Sequence, residues 1–469
     1  MNRIACVVLA AGALAACTRS PSEAPPRLSL APCIVRDVAG ECGTLPVFEN
    51  RHTRRGRKID IHLMVLRADG PAAASSAVFM FSGGPGTGST QMAPAGTGWG
   101  RALRASMDIV LVDQRGTGES HPLACPSPAL TDPAAIFGHV YDAAQLTACR
   151  DALERDADLT QYTTDAAVAD IDEVRAALGY ERISVYGGSY GTRMAQGYAR
   201  RFPERVRAMV LDGVAPFDTV MPLSYAVSAQ QSLDRVIAAC AATPECRAAH
   251  PRLAADFATV LARLDAKPAT ATVRTPTGTT AAVAMGRGDF AYAVRGILYD
   301  AGAVATLPGL IRRAAATGDL SEFAQRYWNR RVSLDATLAL GQHLSVLCSE
   351  DVPFVDDQEI APATSGTFLG RYLVDEYRRA CGVWPRGSIG GDARALVSAR
   401  VPALLVSGFF DPVTPPEFAD RTARALPLSR TIVAPGSAHG SAQACPRAAV
   451  LHVLERGTLD GAPEVCRGR

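Results

Sequence analysis

The chain has 469 residues, of which 48% are hydrophobic and 20% charged, with a formal net charge of +2. That balance describes a globular body able to bury a large core and excludes an intrinsically disordered chain. It also supplies no excess of positive charge for a nucleic-acid backbone, so no nucleic-acid partner is expected.

Met1-Asn2-Arg3 is a short positive start, and Ile4 to Ala13 is an apolar run too short to span a bilayer. Small residues follow in Leu14-Ala15-Ala16-Cys17, so residues 1–16 read as a secretory signal peptide. A Cys directly after Leu-Ala-Ala resembles the bacterial lipobox. That resemblance implies that Cys17 is acylated and becomes the first residue of an exported, lipid-anchored envelope protein, with the membrane as a partner through the anchor. Residues 17–32, with Pro21, Pro25 and Pro26, read as a tether. Setting Cys6 and Cys17 aside leaves ten of the 12 cysteines, an even set that predicts disulfides in an exported chain. The simplest pairing joins neighbours: 33–42, 125–149, 240–246, 348–381 and 445–466. A metal site is disfavoured, because no C-x-x-C pair is present.

Further along, Arg51, Arg54, Arg55, Arg57 and Lys58 crowd a polar stretch. It reads as a solvated turn ahead of an edge strand, in which Ile59, Ile61, Leu63 and Val65 alternate with their neighbours. Ala77 to Phe81 is a continuous apolar run, hence a fully buried strand. The loop after it, Ser82-Gly83-Gly84-Pro85-Gly86-Thr87-Gly88, lacks the G-K-[ST] ending of a phosphate cradle. Met107 to Val112 is another buried strand, and Asp113 and Arg115 beyond it are expected to form a buried ion pair. Thr164 is read as the N-cap of a helix running to Leu178.

Ile183 to Tyr186 then reads as a strand, Gly187-Gly188-Ser189-Tyr190-Gly191 as a tight turn, and Thr192 to Phe202 as a helix. Strand, G-x-S-x-G turn and helix are the setting of a nucleophile elbow, which lifts a serine Oγ clear of the backbone. The loop at 82–88 is then the second half of an oxyanion hole. Its donors are expected to be the N–H of Tyr190 and that of Gly84, or of Gly83, since Pro85 has none.

Met209 to Leu211 is the next strand. From residue 217 to 400 the strand–helix alternation gives way to helices at 228–242, 252–264, 289–299, 304–316 and 321–329. The alternation resumes with Val401 to Ser407, followed by Asp411 in a proline-held loop. A last strand at Ser429 to Val433 leads to Gly436-Ser437-Ala438-His439-Gly440. The order Ser189, Asp411, His439, each member after a strand, is the order of an α/β-hydrolase triad. The expected fold is therefore an α/β-hydrolase: a mostly parallel central sheet flanked by helices. Its core is residues 33–216 and 401–469, with a large, mainly helical cap at 217–400 inserted between late strands.

Seven stretches resemble one family, the secreted tripeptidyl-aminopeptidase-like and proline-iminopeptidase-like α/β-hydrolase serine peptidases. They are Cys42-Gly43-Thr44-Leu45-Pro46, Gly83 to Gly86, Asp113 to Gly118, Gly187 to Thr192, Leu211-Asp212-Gly213, Asp411 to Pro416 and Gly436 to Gly440. The resemblance implies an exopeptidase that releases residues from the free amino end of peptides, with no metal or organic cofactor. One position departs from it. Proline iminopeptidases carry a His before Gly-Gly-Pro-Gly, where this chain has Ser82. On physical grounds a free ammonium needs a carboxylate close to the nucleophile, and Glu350 and Asp351 in the cap are the candidates. A carboxylesterase or lipase-type hydrolase uses the same machinery and is the alternative.

Overall fold

The computed structural model describes residues 28–70, 76–126, 132–276, 278–442, 444–463 and 466. The signal peptide, Cys17 and the tether up to residue 27 lie outside the described residues.

Among the described residues a nine-stranded sheet organises the chain, with strands in the spatial order Ala31–Val35, Val38–Phe48, Lys58–Leu66, Asp108–Val112, Ala77–Phe81, Ile183–Gly188, Val206–Asp212, Ala403–Gly408 and Ser429–Ala434. The first three strands, β1 (Ala31–Val35), β2 (Val38–Phe48) and β3 (Lys58–Leu66), form an antiparallel ribbon. β5 (Asp108–Val112) pairs antiparallel with β3 and parallel with β4 (Ala77–Phe81). From β4 onward through β6 (Ile183–Gly188), β7 (Val206–Asp212), β10 (Ala403–Gly408) and β11 (Ser429–Ala434), every pairing is parallel. The strands β4, β5 and β10 are buried at every residue. This is the pattern of a parallel sheet covered on both faces.

Alternation along the strands divides the core in two. Val78 and Met80 join Ile109, Leu111, Val210, Leu404 and Val453 on one face. Phe79 and Phe81 join Val110, Val112, Val185, Met194 and Tyr198 on the other. A period of two sends successive side chains to opposite faces, so each short apolar run feeds both layers. Because β4, β5, β6, β7, β10 and β11 run the same way, their carboxyl ends share one edge, and the loops that leave them meet there.

Two strands precede the one expected to form the sheet edge. β2 contains Gly40, Gly43 and Pro46, which obscure its pattern, yet it pairs along most of its length with β3. β3 is thus third from the edge. Ala31 and Pro32, read as the end of a tether, begin β1. The nearby arginines are partnered: Arg51 bonds Glu173 at 2.5 Å and Arg57 approaches Glu49 at 3.2 Å. The expected Asp113–Arg115 pair is absent. Arg115 forks onto Asp170 at 2.7 and 2.9 Å and bonds the carbonyls of Glu49 and Gln161. Asp113 instead accepts from Thr90 and from the Glu119 N–H. Two positions apart on a loop, the two side chains reach different layers. The N-cap at the start of helix Thr164–Ala177 is Thr163, one residue earlier than read.

The chain leaves the sheet after Asp212 and re-enters beside the same strand, Ala403 pairing with Met209. Between them lie the helices Leu223–Ala242, Leu253–Ala266, Arg287–Leu298, Leu307–Thr317 and Ser321–Thr337. Three further helices of eight residues or more, Leu340–Glu350, Asp357–Thr364 and Tyr372–Cys381, were not anticipated, nor were the short helices Pro244–Ala249 and Ala301–Val304 or the hairpin of β8 (Ala269–Arg274) with β9 (Thr280–Met285). Five disulfides join the neighbour pairs: 33–42, 125–149, 240–246, 348–381 and 445–466. Such a set belongs to an oxidising compartment. Among the described residues no helix is long and apolar enough to cross a membrane.

Candidate active site

Ser189 sits between β6 and helix Gly191–Arg201 with φ of +56°, in the left-handed region that a residue with a Cβ rarely adopts. Two glycines make the turn possible. A Cβ on Gly187 would run into the carbonyl of Gly191, and one on Gly191 would run into the carbonyl of Phe81 at the end of β4. Gly188, by contrast, would meet only the Tyr186 ring at 3.8 Å, so that position is not sterically required to be glycine. The turn is held by the Ser189 N–H donating to the Asp212 carbonyl at 2.8 Å. The Thr192 N–H and Oγ1 donate to the Ser189 carbonyl at 2.9 and 2.6 Å. The strain at Ser189 is therefore over-determined by its surroundings.

The 82–88 loop lies directly against this turn. A Cβ on Gly83 would stand 2.9 Å from the Ser189 Cβ and 3.4 Å from its Oγ. Gly84 has a φ of +110°, and a Cβ there would stand 2.8 Å from the Gly86 nitrogen. The loop is pinned from the cap: His343 Nδ1 bonds the Pro85 carbonyl at 2.8 Å, and the Ala339 N–H donates to the Gly86 carbonyl at 2.8 Å. Burial pushes the His343 imidazolium down to about 4, so the ring is neutral near neutrality. With Nδ1–H donating to Pro85, Nε2 is left to accept from the Tyr377 hydroxyl at 3.0 Å.

Asp411 is fully buried in the loop after β10. Its Oδ1 accepts the N–H groups of Val413 and Thr414 at 2.8 and 2.9 Å. Its Oδ2 accepts the Thr414 hydroxyl at 2.8 Å and faces His439 Nδ1 at 2.8 Å. Burial alone would raise this carboxyl's pKa. The His439 charge and hydrogen bond, with the two N–H donors, outweigh it and hold the group below its usual range. Burial likewise opposes the charged form of His439, but Asp411 overrides it and raises the imidazolium pKa, while Arg295 works the other way.

The His439 loop is fixed from two sides. The His439 N–H donates to the Tyr299 carbonyl at 3.1 Å, and the Tyr299 ring meets the imidazole edge-on at 5.0 Å. Just beyond it, Ser441 and Ala442 donate their N–H groups to the Asp212 carboxylate, both at 2.9 Å. Asp212 also accepts the Tyr186 hydroxyl at 2.9 Å. A single residue thus holds the serine turn with its carbonyl and the histidine loop with its side chain. Sequence reasoning passed over Asp212; the signal was an acid at the end of a buried strand directly before Gly213.

Ser189, Gly83, Gly84 and His439 line one cavity of about 420 Å³. Tyr225, Tyr292, Arg295, Tyr299, Arg330 and Tyr377, from the segment between β7 and β10, also line it, with Tyr141 from the loop before helix Ala143–Leu153. Tyr190 turns its side chain into the core, its hydroxyl 2.7 Å from Thr164 Oγ1, and leaves its N–H at the start of the helix after Ser189. Glu350 and Asp351 are not among the residues lining this cavity. Glu350 accepts the Thr164 N–H and hydroxyl at 2.6 and 2.7 Å. Asp351 forks onto the buried Arg193 at 2.7 and 3.1 Å. Both carboxylates are engaged inside the protein, which corrects their reading as the ammonium anchor.

A family model for the alpha/beta hydrolase fold matches residues 76–442, and the chain belongs to that family. Its relatives include hydrolases and serine peptidases. It is 29% identical over 217 residues to the putative hydrolase YuaR of Escherichia coli, covering 44% of this chain and 43% of that one. Over 393 residues it is 26% identical to the serine protease Hip1 of Mycobacterium tuberculosis, covering 74% of each. It is 30% identical over 216 residues to the tripeptidyl aminopeptidase of Streptomyces lividans, covering 42% of this chain and 38% of that one. The chain therefore spans less than half the length of the first and third of these relatives.

Proposed function

We propose that this protein is a serine exopeptidase that hydrolyses peptide bonds near the free amino end of its substrates. The observation that carries the reading is the strained Ser189, opening onto a cavity that His439 also lines, with Asp411 bound to the far nitrogen of that imidazole. Ser189 Oγ attacks the scissile carbonyl while His439 Nε2 takes its proton. The same nitrogen then protonates the departing amine. Asp411 keeps the Nδ1–H tautomer and stabilises the imidazolium. The tetrahedral oxyanion is received by the N–H of Tyr190 and by that of Gly84 or Gly83, and water then releases the acyl group by the reverse path. The serine protease and aminopeptidase relatives support peptides as the substrate class.

The test is turnover of a peptide amide by the wild type and by Ser189→Ala, with fluorophosphonate labelling read alongside. Turnover and labelling both vanish in the variant while the melting temperature holds; a variant that still turns over would remove Ser189 from the mechanism. A second reading, an esterase, is favoured by the engagement of Glu350 and Asp351 elsewhere. Preference for simple acyl esters over aminoacyl amides, and indifference to blocking the substrate amine, would establish that reading instead.

A further inference from the structure

The cavity is lined by two arginines, Arg295 and Arg330, that form no ion pair among the described residues. Arg295, on helix Arg287–Leu298, is only 5% exposed. Among the described residues it forms no hydrogen bond or ion pair, and its Nε is buried without a partner. Its guanidinium lies over the rings of Tyr225 at 4.4 Å and Tyr299 at 5.1 Å. Arg330, half-buried on helix Ser321–Thr337, lies over the Tyr299 ring at 4.0 Å, and its Nε is also unpartnered.

The other large buried arginines are served differently. Arg115 has Asp170 and three backbone carbonyls, and Arg193 has Asp351 and two. A buried cation is costly unless it is paired, and aromatic faces offset only part of that cost. Among the described residues the one acid lining the cavity is Asp212, and four donors already occupy its oxygens. Those donors are neutral hydroxyl and N–H groups, so the cavity holds two guanidinium groups of which neither is paired with its one acid.

We propose that Arg295, assisted by Arg330, is a specificity subsite for a carboxylate on the substrate, set in the same cavity as the scissile bond. A planar guanidinium offers paired donors that match a carboxylate, and the surrounding tyrosines keep water from competing. Two sources carry that group: an acidic side chain in the residue that supplies the acyl group, or the free carboxyl terminus of a short peptide. The inference rests on the hydrolase reading for its kinetic arm only.

The experiment compares kcat/KM for two matched pairs, Glu against Gln in the acyl residue and free acid against amide at the carboxyl end of a tripeptide. Each pair is run on the wild type, Arg295→Gln and Arg295→Lys. The wild type prefers the carboxylate partner at least tenfold in one pair, which identifies the source. The preference falls below twofold in Arg295→Gln and is partly kept in Arg295→Lys. Because a hydrolase failure would silence this arm, calorimetric binding of the same pairs to Ser189→Ala protein is measured in parallel. Should Arg295→Gln not fold, Arg330→Gln replaces it with a smaller loss of preference. Equal handling of acid and neutral partners in both pairs, or a preference that survives Arg295→Gln, overturns the proposal. Carboxylate-selective binding without turnover would overturn the hydrolase reading and leave the subsite standing.

Discussion

Asp411→Asn isolates the role of one oxygen. The two oxygens of Asp411 are not equivalent: Oδ1 accepts two backbone N–H groups, while Oδ2 faces the Thr414 hydroxyl and His439 Nδ1. An amide NH₂ cannot replace Oδ1, because it would point donors at donors. Asparagine must therefore put its NH₂ toward His439, which compels Nδ1 to accept and leaves the proton on Nε2. In that tautomer the imidazole cannot take the Ser189 proton. Loss of the tautomer in a Ser-His-Asp triad costs about 10⁴ in kcat, or ~5.4 kcal/mol at 1.36 kcal/mol per tenfold. The assay is kcat on an activated substrate, together with the rate of fluorophosphonate labelling at Ser189. Circular dichroism and the melting temperature establish that the variant is folded. A folded Asp411→Asn protein within tenfold of the wild type would refute the assignment of Asp411 and the tautomer argument with it.

Gly83→Ala places a methyl 2.9 Å from the Ser189 Cβ, so the loop must retreat from the serine. Loss of one oxyanion donor lowers kcat by 10²–10³, about 2.7–4 kcal/mol, with little change in KM; an unchanged kcat would mean the loop supplies no donor. Glu350, pushed up to about 7 by burial, binds its proton more tightly in the folded chain than in the unfolded one. Stability is therefore full below the ordinary carboxyl value and declines as pH rises toward 7, by up to ~3 kcal/mol. Melting curves from pH 4.5 to 7.5 check this: Glu350→Gln flattens the decline, and an unchanged slope removes Glu350 as its source. The Cys348–Cys381 bridge ties helix Leu340–Glu350, which carries His343, to helix Tyr372–Cys381, which carries Tyr377. Replacing both cysteines by alanine costs ~3–4 kcal/mol on the chain-entropy model for a 33-residue separation, read as a lower denaturation midpoint; an unchanged midpoint would contradict it.

The parts of the site visible in the sequence are those whose constraints are local. Gly187 and Gly191 are demanded by backbone atoms within a few residues or at the end of the neighbouring strand, so the turn around Ser189 declares itself in five letters. The loops bearing Asp411 and His439 follow short apolar runs, and those runs turned out to be adjacent parallel strands. Residues whose partners lie far along the chain were harder to read. Arg115 finds its acid 55 positions away, and consecutive acids at 350 and 351 diverge to Thr164 and Arg193. The cationic wall was invisible for a related reason. Which face of such a helix looks inward is set by how the helices pack, and Arg295 lies on one whose Phe290, Tyr292, Val294 and Ile297 read equally well as core. β1 was hidden by Pro32 and β2 by its two glycines and Pro46, which only the pairing of β1 with β2 and of β2 with β3 makes intelligible.

The backbone bond from the His439 N–H to the Tyr299 carbonyl ties the His439 loop to the long segment between β7 and β10. Engineers often exchange such modules between related enzymes to graft a new preference onto an existing scaffold. Here a chimera that omitted a carbonyl at that place would leave the His439 N–H without its acceptor. Transplants into this chain should therefore keep the segment ending at Tyr299 and begin the foreign sequence beyond it.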